Sequence, residues 1–326
     1  MTLRTSVPQT RKAPLVPAKQ RTDQSYRRRK ALEPYLLIAP ALLLLALVFL
    51  WPTLYNIWLS FHDVALASMM QGGTFVGLAN YADWLARPAV YQTLFRTIVI
   101  LTGITVALRI VFGLGLAVLY NSDILHRLRL VGLVRSLVLV PWVIPPVVAV
   151  AIFTWLYEPQ YGIINKLLVA TGLIDEPISF LTEPGFVWLA IISVVVWNEL
   201  PFAVLMFTAG LQMVPKDLYE AARIDGAAGF QLFRYITLPM LRSIIIVVAL
   251  LTTIWTYNNF VFVWLMTRGG PGNSTQVMTT QLYAEGFLNF EIGSAAAFGV
   301  IMSLVMSLIA LAYYRFVVRK GADTNG

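Results

Sequence analysis

The sequence predicts an all-α integral membrane protein with six transmembrane helices. Three observations carry that expectation. Of 326 residues, 58% are hydrophobic and only 12% charged, about half the charged fraction of a soluble domain. The apolar residues gather into six blocks, at 34–61, 93–120, 130–157, 186–214, 238–266 and 292–318, each long enough for a crossing of roughly 20 residues. Lysine and arginine alternate between the connecting segments, and such alternation sets orientation across a bilayer.

Residues 1–33 hold nine Lys/Arg among Gln, Thr and Pro. They read as a basic, disordered cytoplasmic tail attracted to anionic lipid rather than to nucleic acid. The first block follows this tail without a small-residue cleavage site, so it reads as a retained anchor. The segment 121–135, the segment 216–242 and the end after Tyr314 bring the basic total on one side to nineteen of twenty-four. Both termini are therefore expected in the cytoplasm, the last eight residues, 319–326, forming a second tail. The loops near Asn80, Asn165 and Gly270 are expected outside. Each of those outer loops carries turn residues, and the first two also suggest a short helix.

The chain lacks cysteine and has two histidines, His62 and His126, at opposite faces. No disulfide, thiolate metal site or paired-histidine site is expected. No Gly-x-x-x-x-Gly-Lys-Ser/Thr loop is present, so this chain does not hold ATP in that way.

Prolines fall within the blocks, at Pro40, Pro52, Pro141, Pro145, Pro146 and Pro201. Each removes a backbone donor. Pro201 stands beside Asn198 and Glu199 near the middle of the fourth block, and the trio reads as an opened helix lining a wet cavity. An acid at that depth is expensive unless it serves a function or finds a partner. Arg109 in the second block is the only basic residue well inside a span. It reads either as a counter-ion, pairing with Glu199, or as a snorkelling side chain. In the fifth block Thr252, Trp255, Thr256 and Asn259 follow the i, i+3, i+4, i+7 spacing of one helix face. That mixture of an aromatic plate with hydroxyl and amide groups suits a sugar. It equally suits hydrogen bonding between helices.

One polar interruption stands out, "PKDLYEAARIDGAAGFQLFRYITLP", between the fourth and fifth blocks. Lys216 onward reads as two helical turns, Gly226 and Gly229 permit a reversal, and a second short helix leads into the fifth block. The small residues and charges read as a knob shaped for a protein pocket rather than an interfacial anchor.

Glu220-Ala221-Ala222, Asp225-Gly226-Ala227 and Ile236-Thr237-Leu238-Pro239 resemble the signature of bacterial ABC-importer permeases. "FVGLANY", "LVPWVIPPVVAVAIFTWLYEPQYGIIN", "WNELPFAVLMFTAGLQMVP" and "NNFVFVWLMTRGGP" narrow the likeness to the carbohydrate-uptake branch and its maltose-type permease, over residues 35–318. Glu199 and Arg109 depart from that pattern. The resemblance implies a type I importer permease fold at 34–318 with a cytoplasmic coupling loop at 215–237, in a bacterial inner membrane. It implies a subunit that is not itself an enzyme and binds no cofactor, ATP and Mg being held by the partner ATPase. The implied partners are a second permease forming a heterodimer, two copies of a cytosolic ATPase, and an extracytoplasmic binding protein that delivers a sugar or sugar derivative. It implies that Asn198, Glu199, Phe202, Thr252, Trp255, Thr256 and Asn259 line the pathway. Glu220, Ala221, Ala222, Asp225 and Gly226 would form the ATPase-coupling helix. The alternative from the residues alone is an ion-coupled secondary transporter using Glu199, although no internal repeat supports it.

Overall fold

A computed structural model describes residues 34–35, 37–65, 67, 72–121, 127 and 131–322. The basic tail before residue 34, His126 and the last four residues lie outside the described residues. The chain divides into two compact units, Met1–Tyr55 and Asn56–Gly326.

Within the first unit runs most of helix α1, Leu37–Leu59, apolar along its length and exposed throughout the unit. Pro52 lacks a donor for the turn before it. The helix widens there into a π-type turn at Ala46–Leu50, and the Thr53 hydroxyl donates to the Phe49 carbonyl at 2.7 Å.

The second unit holds the core. A two-residue hairpin pairs β1, His62–Asp63, with β2, Thr74–Phe75. Short helix α2, Ala79–Ala86, follows. Helix α3, Pro88–Tyr120, opens on a proline, which suits a first turn because that N–H has no helical partner. Next come α4, Gly132–Val143, and α5, Pro146–Leu156, bent by 102° where Pro145 and Pro146 remove two successive donors. After α6, Ile163–Ala170, the long helix α7, Val187–Gln212, forms the centre of the unit. Buried Val187, Ala190, Ile191, Val194 and Val195 face one apolar cluster with α5, while Ala203, Phe207 and Leu211 face another with α3.

Beyond α7 lie α8, Lys216–Ile224, and α9, Phe230–Met240, then α10, Arg242–Tyr257, bent from α9 by 68°. Short helix α11, Val261–Thr267, leads to the glycine-rich turn, α12, Met278–Tyr283, and α13, Ile292–Ala322. Among the described residues four helices are long and apolar enough to cross a membrane, or up to six spans if each bent pair counts as one.

Two expectations need correction. The fourth block is not opened at Pro201. Helix α7 runs unbroken through it, with Pro201 buried. The fifth block, 238–266, is not one helix. It ends at Tyr257 and restarts at Val261, with Asn258 and Asn259 in the gap. The Asn258 side-chain amide donates back to the Ile254 carbonyl at 2.9 Å, beside the Asn258 backbone N–H that reaches the same oxygen at 3.3 Å.

Candidate functional site

Close packing of α3 on α7 sets the register of the site. Gly113 lies against Ala203 and Phe207, and a Cβ added there would meet the Ala203 Cβ at 2.9 Å. Only glycine lets the helices approach so near. One turn from each contact, in the same direction, stand Arg109 and Glu199. Arg109 Nη2 and Glu199 Oε2 form an ion pair, which spares either charge the cost of isolation. Arg109 also donates from Nη1 to the Thr256 hydroxyl at 3.1 Å. One guanidinium thus ties α3, α7 and α10 together.

The two charges differ in access. The Arg109 side chain is 0% exposed, while that of Glu199 is 20% exposed. Glu199 opens onto a cleft of about 420 Å³. One wall is the break between α4 and α5, from Trp142 to Pro146. The other is Asn198, Glu199 and Phe202 of α7 together with Trp255 of α10. Three rings make an aromatic edge. Trp142 and Phe202 have centroids 6.2 Å apart, and Phe202 meets Trp255 edge-on at 4.7 Å. Trp255 remains 43% exposed, so its ring is available to a flat apolar surface.

Asn198 has a second task. In a regular helix the Pro141 carbonyl would accept from residue 145, but Pro145 has no N–H. The Asn198 amide donates there instead, at 2.7 Å to Pro141 O and 3.1 Å to Ile144 O. The bent pair therefore has its freed Pro141 carbonyl satisfied by a side chain from α7, as a break at membrane depth requires.

Of the seven residues expected along the pathway, the structure brings Asn198, Glu199, Phe202 and Trp255 to one cleft. It does not bring the other three. Thr252 is buried and its hydroxyl donates to Val248 O at 2.7 Å within its own helix. Thr256 faces Arg109. Asn259 lies past the end of α10, where its side chain accepts from the Phe262 N–H at 3.3 Å. Sequence reasoning had not singled out Trp142, Pro145 or Pro146 as cleft residues, although the tandem proline was the available signal.

At the α8–α9 knuckle, Gly226 has φ +87° and Gly229 φ +48°, a left-handed pair that reverses the chain. Tyr219 and Thr237 are joined by a 2.9 Å hydroxyl contact that fastens α8 to α9. Glu220, Ala221, Asp225 and Gly226 are exposed, Ala222 partly so. Ile224 and Phe230 are exposed by 87% and 75%. A groove of about 550 Å³ runs beside Tyr219, Glu220 and Phe233. Among the described residues no group of three His, Asp or Glu is placed to hold a metal.

Residues 109–321 match the profile of the family described as "Binding-protein-dependent transport system inner membrane component". The chain is 33% identical over 294 residues to the trehalose/maltose transport system permease protein MalF of Thermococcus litoralis, covering 88% of this chain and 96% of that one. It is 33% identical over 285 residues to the sulfoquinovosyl glycerol transport system permease protein SmoG of Agrobacterium fabrum, covering 87% and 90%. Among solved structures, a bacterial ABC transporter involved in the import of the acidic polysaccharide alginate superposes with a TM-score of 0.74. That match is at 21% identity and covers 90% of this chain and 99% of that one.

Proposed function

We propose that the chain, which belongs to the family of binding-protein-dependent transport system inner membrane components, forms half of a translocation pathway for a sugar, oligosaccharide or sugar derivative. As a member it is a multi-pass permease subunit of an ABC importer and not itself an enzyme. The observation that carries the sugar reading is the cleft between the α4–α5 break and α7. It sets an aromatic edge, Phe202 against Trp255, beside the Glu199 carboxylate. A sugar presents an apolar ring face to the former and hydroxyl donors to the latter. The cargoes named for the two permease relatives, trehalose or maltose and sulfoquinovosyl glycerol, support the same class.

In this reading Asn198, Glu199, Phe202 and Trp255 belong to the pathway. Thr252, Thr256 and Asn259 belong to the scaffold behind it. The α8–α9 knuckle, with Glu220, Ala221, Ala222, Asp225 and Gly226, is the cytoplasmic joint that seats in a partner ATPase. The asymmetry of Lys and Arg supports that orientation, with both termini inside. Two ATPase subunits would hold ATP and Mg, a second permease would complete the channel, and an extracytoplasmic binding protein would deliver the solute. The ion-coupled alternative lacks support, because family membership points to a binding-protein-dependent system and Glu199 already has Arg109 as its cation.

The test is transport by the reconstituted complex. Proteoliposomes with the binding protein outside and ATP inside should accumulate the cognate sugar, and Trp255→Ala should reduce uptake while complex assembly persists. Uptake at the wild-type rate in Trp255→Ala across the solute range would refute the pathway assignment.

A further inference from the structure

We infer that Glu199, backed by Arg109, is a charge filter that makes the cleft accept neutral, hydroxyl-rich solutes and turn away anionic ones. This rests on the cleft being the solute pathway. The fold does not fix the charge class, since a structure of the same fold is described as importing an acidic polysaccharide. The local residues therefore have to decide it.

The inference comes from the unequal exposure of the two charges. A guanidinium is protonated at any physiological pH. Arg109 is wholly buried and Glu199 is its acidic partner, so Glu199 is held as a carboxylate. The pair is neutral overall but oriented. Its positive end points into the α3–α7–α10 packing, where the Thr256 hydroxyl takes a further donor. Its negative end is on the cleft wall, and Glu199 is the one charged residue among those lining it. Asn198 cannot offset this with its amide hydrogens, which already serve Pro141 and Ile144. A solute in the cleft therefore meets an ionised acceptor backed by a cation it cannot reach. Hydroxyl groups donate to such an oxygen in charge-assisted bonds. A carboxylate, phosphate or sulfonate instead brings a like charge into a site poorly screened by water. The guanidinium is the positioning element. It holds the carboxylate on the wall and is denied to the solute.

The test uses the purified complex in nanodiscs, without the binding protein, so that its own selectivity does not intervene. Maltotriose is the neutral probe and trigalacturonate the anionic probe of equal ring number. The readout is the part of the tryptophan fluorescence change that Trp255→Phe abolishes, which confines the signal to the cleft. Wild type is expected to half-saturate with maltotriose at a concentration at least about tenfold below that for trigalacturonate. Glu199→Gln keeps an oxygen facing Arg109 and removes the negative charge. It should bring the two probes within about threefold of each other, mainly by admitting the anion. Because Glu199→Gln leaves a buried cation, the double variant Arg109→Met/Glu199→Gln, neutral throughout, is measured beside it and should also lose the preference. Equal half-saturation in wild type, or an unchanged preference in both variants, overturns the filter and leaves the pathway reading standing. No Trp255-dependent change with either probe in wild type overturns the pathway reading and the filter with it.

Discussion

Replacing Asn198 with leucine should loosen the bend between α4 and α5, and this should be visible without any solute. The amide makes two bonds, 2.7 Å to Pro141 O and 3.1 Å to Ile144 O. In a bilayer such side-chain bonds contribute about 0.6–1.5 kcal/mol each. The Pro141 carbonyl then has no backbone donor to return to, because residue 145 is proline, and an orphaned buried acceptor costs about 1–3 kcal/mol. Asn198→Leu is therefore expected to destabilise the unit by about 2–4 kcal/mol. The assay is thermal unfolding of the purified complex with Asn198→Leu, Pro145→Ala and the double variant. Pro145→Ala restores an N–H that can serve Pro141 O, so it should recover about 1 kcal/mol of the loss in the Asn198→Leu background and little in wild type. Unchanged melting in Asn198→Leu together with abolished uptake would refute the clamp and assign Asn198 to the solute. Additive effects of the two substitutions would also refute it.

Further outcomes follow from other contacts. Arg109→Met or Glu199→Leu alone should cost about 3–5 kcal/mol by leaving one charge unpaired, and the pair of substitutions together should cost less than either, as read by melting of the complex. Gly226→Ala and Gly226→Leu should impair binding-protein-stimulated ATP hydrolysis about equally. A Cβ there meets nothing within 4 Å, so the penalty is the left-handed φ, about 1–2 kcal/mol in either case. Thr252→Val should leave uptake near wild type, since its hydroxyl bonds only within its own helix. A large uptake defect without loss of stability would return that residue to the pathway.

What the sequence disclosed, and what it hid, follows from the range of the interaction concerned. The apolar blocks are properties of a single segment, and so is the knuckle, where Gly226 and Gly229 take the positive φ expected of them. In the fifth block the i, i+3, i+4, i+7 rule presumes an unbroken helix, and α10 ends at Tyr257, before Asn259. Asn258 and Asn259 gave a local sign of the ending, but their place inside an apolar run masked it. Even within α10, periodicity grouped Thr252, Trp255 and Thr256 without saying that the two hydroxyls turn inward while the indole turns to the cleft. Two of the site's long-range contacts are instructive as a pair. Both begin as local deficits: Glu199 needs a cation, and the Pro141 carbonyl needs a donor that Pro145 cannot supply. Only the first partner was legible, because one basic residue alone, Arg109, stood at the right depth. For the carbonyl, every Asn, Ser, Thr and Trp in six spans was a candidate, and the partner lies 57 residues away. A deficit can therefore be read from sequence alone, but its remedy can be named only where the chain is poor in the group that supplies it. In a membrane span charge is scarce and hydrogen-bond donors are not.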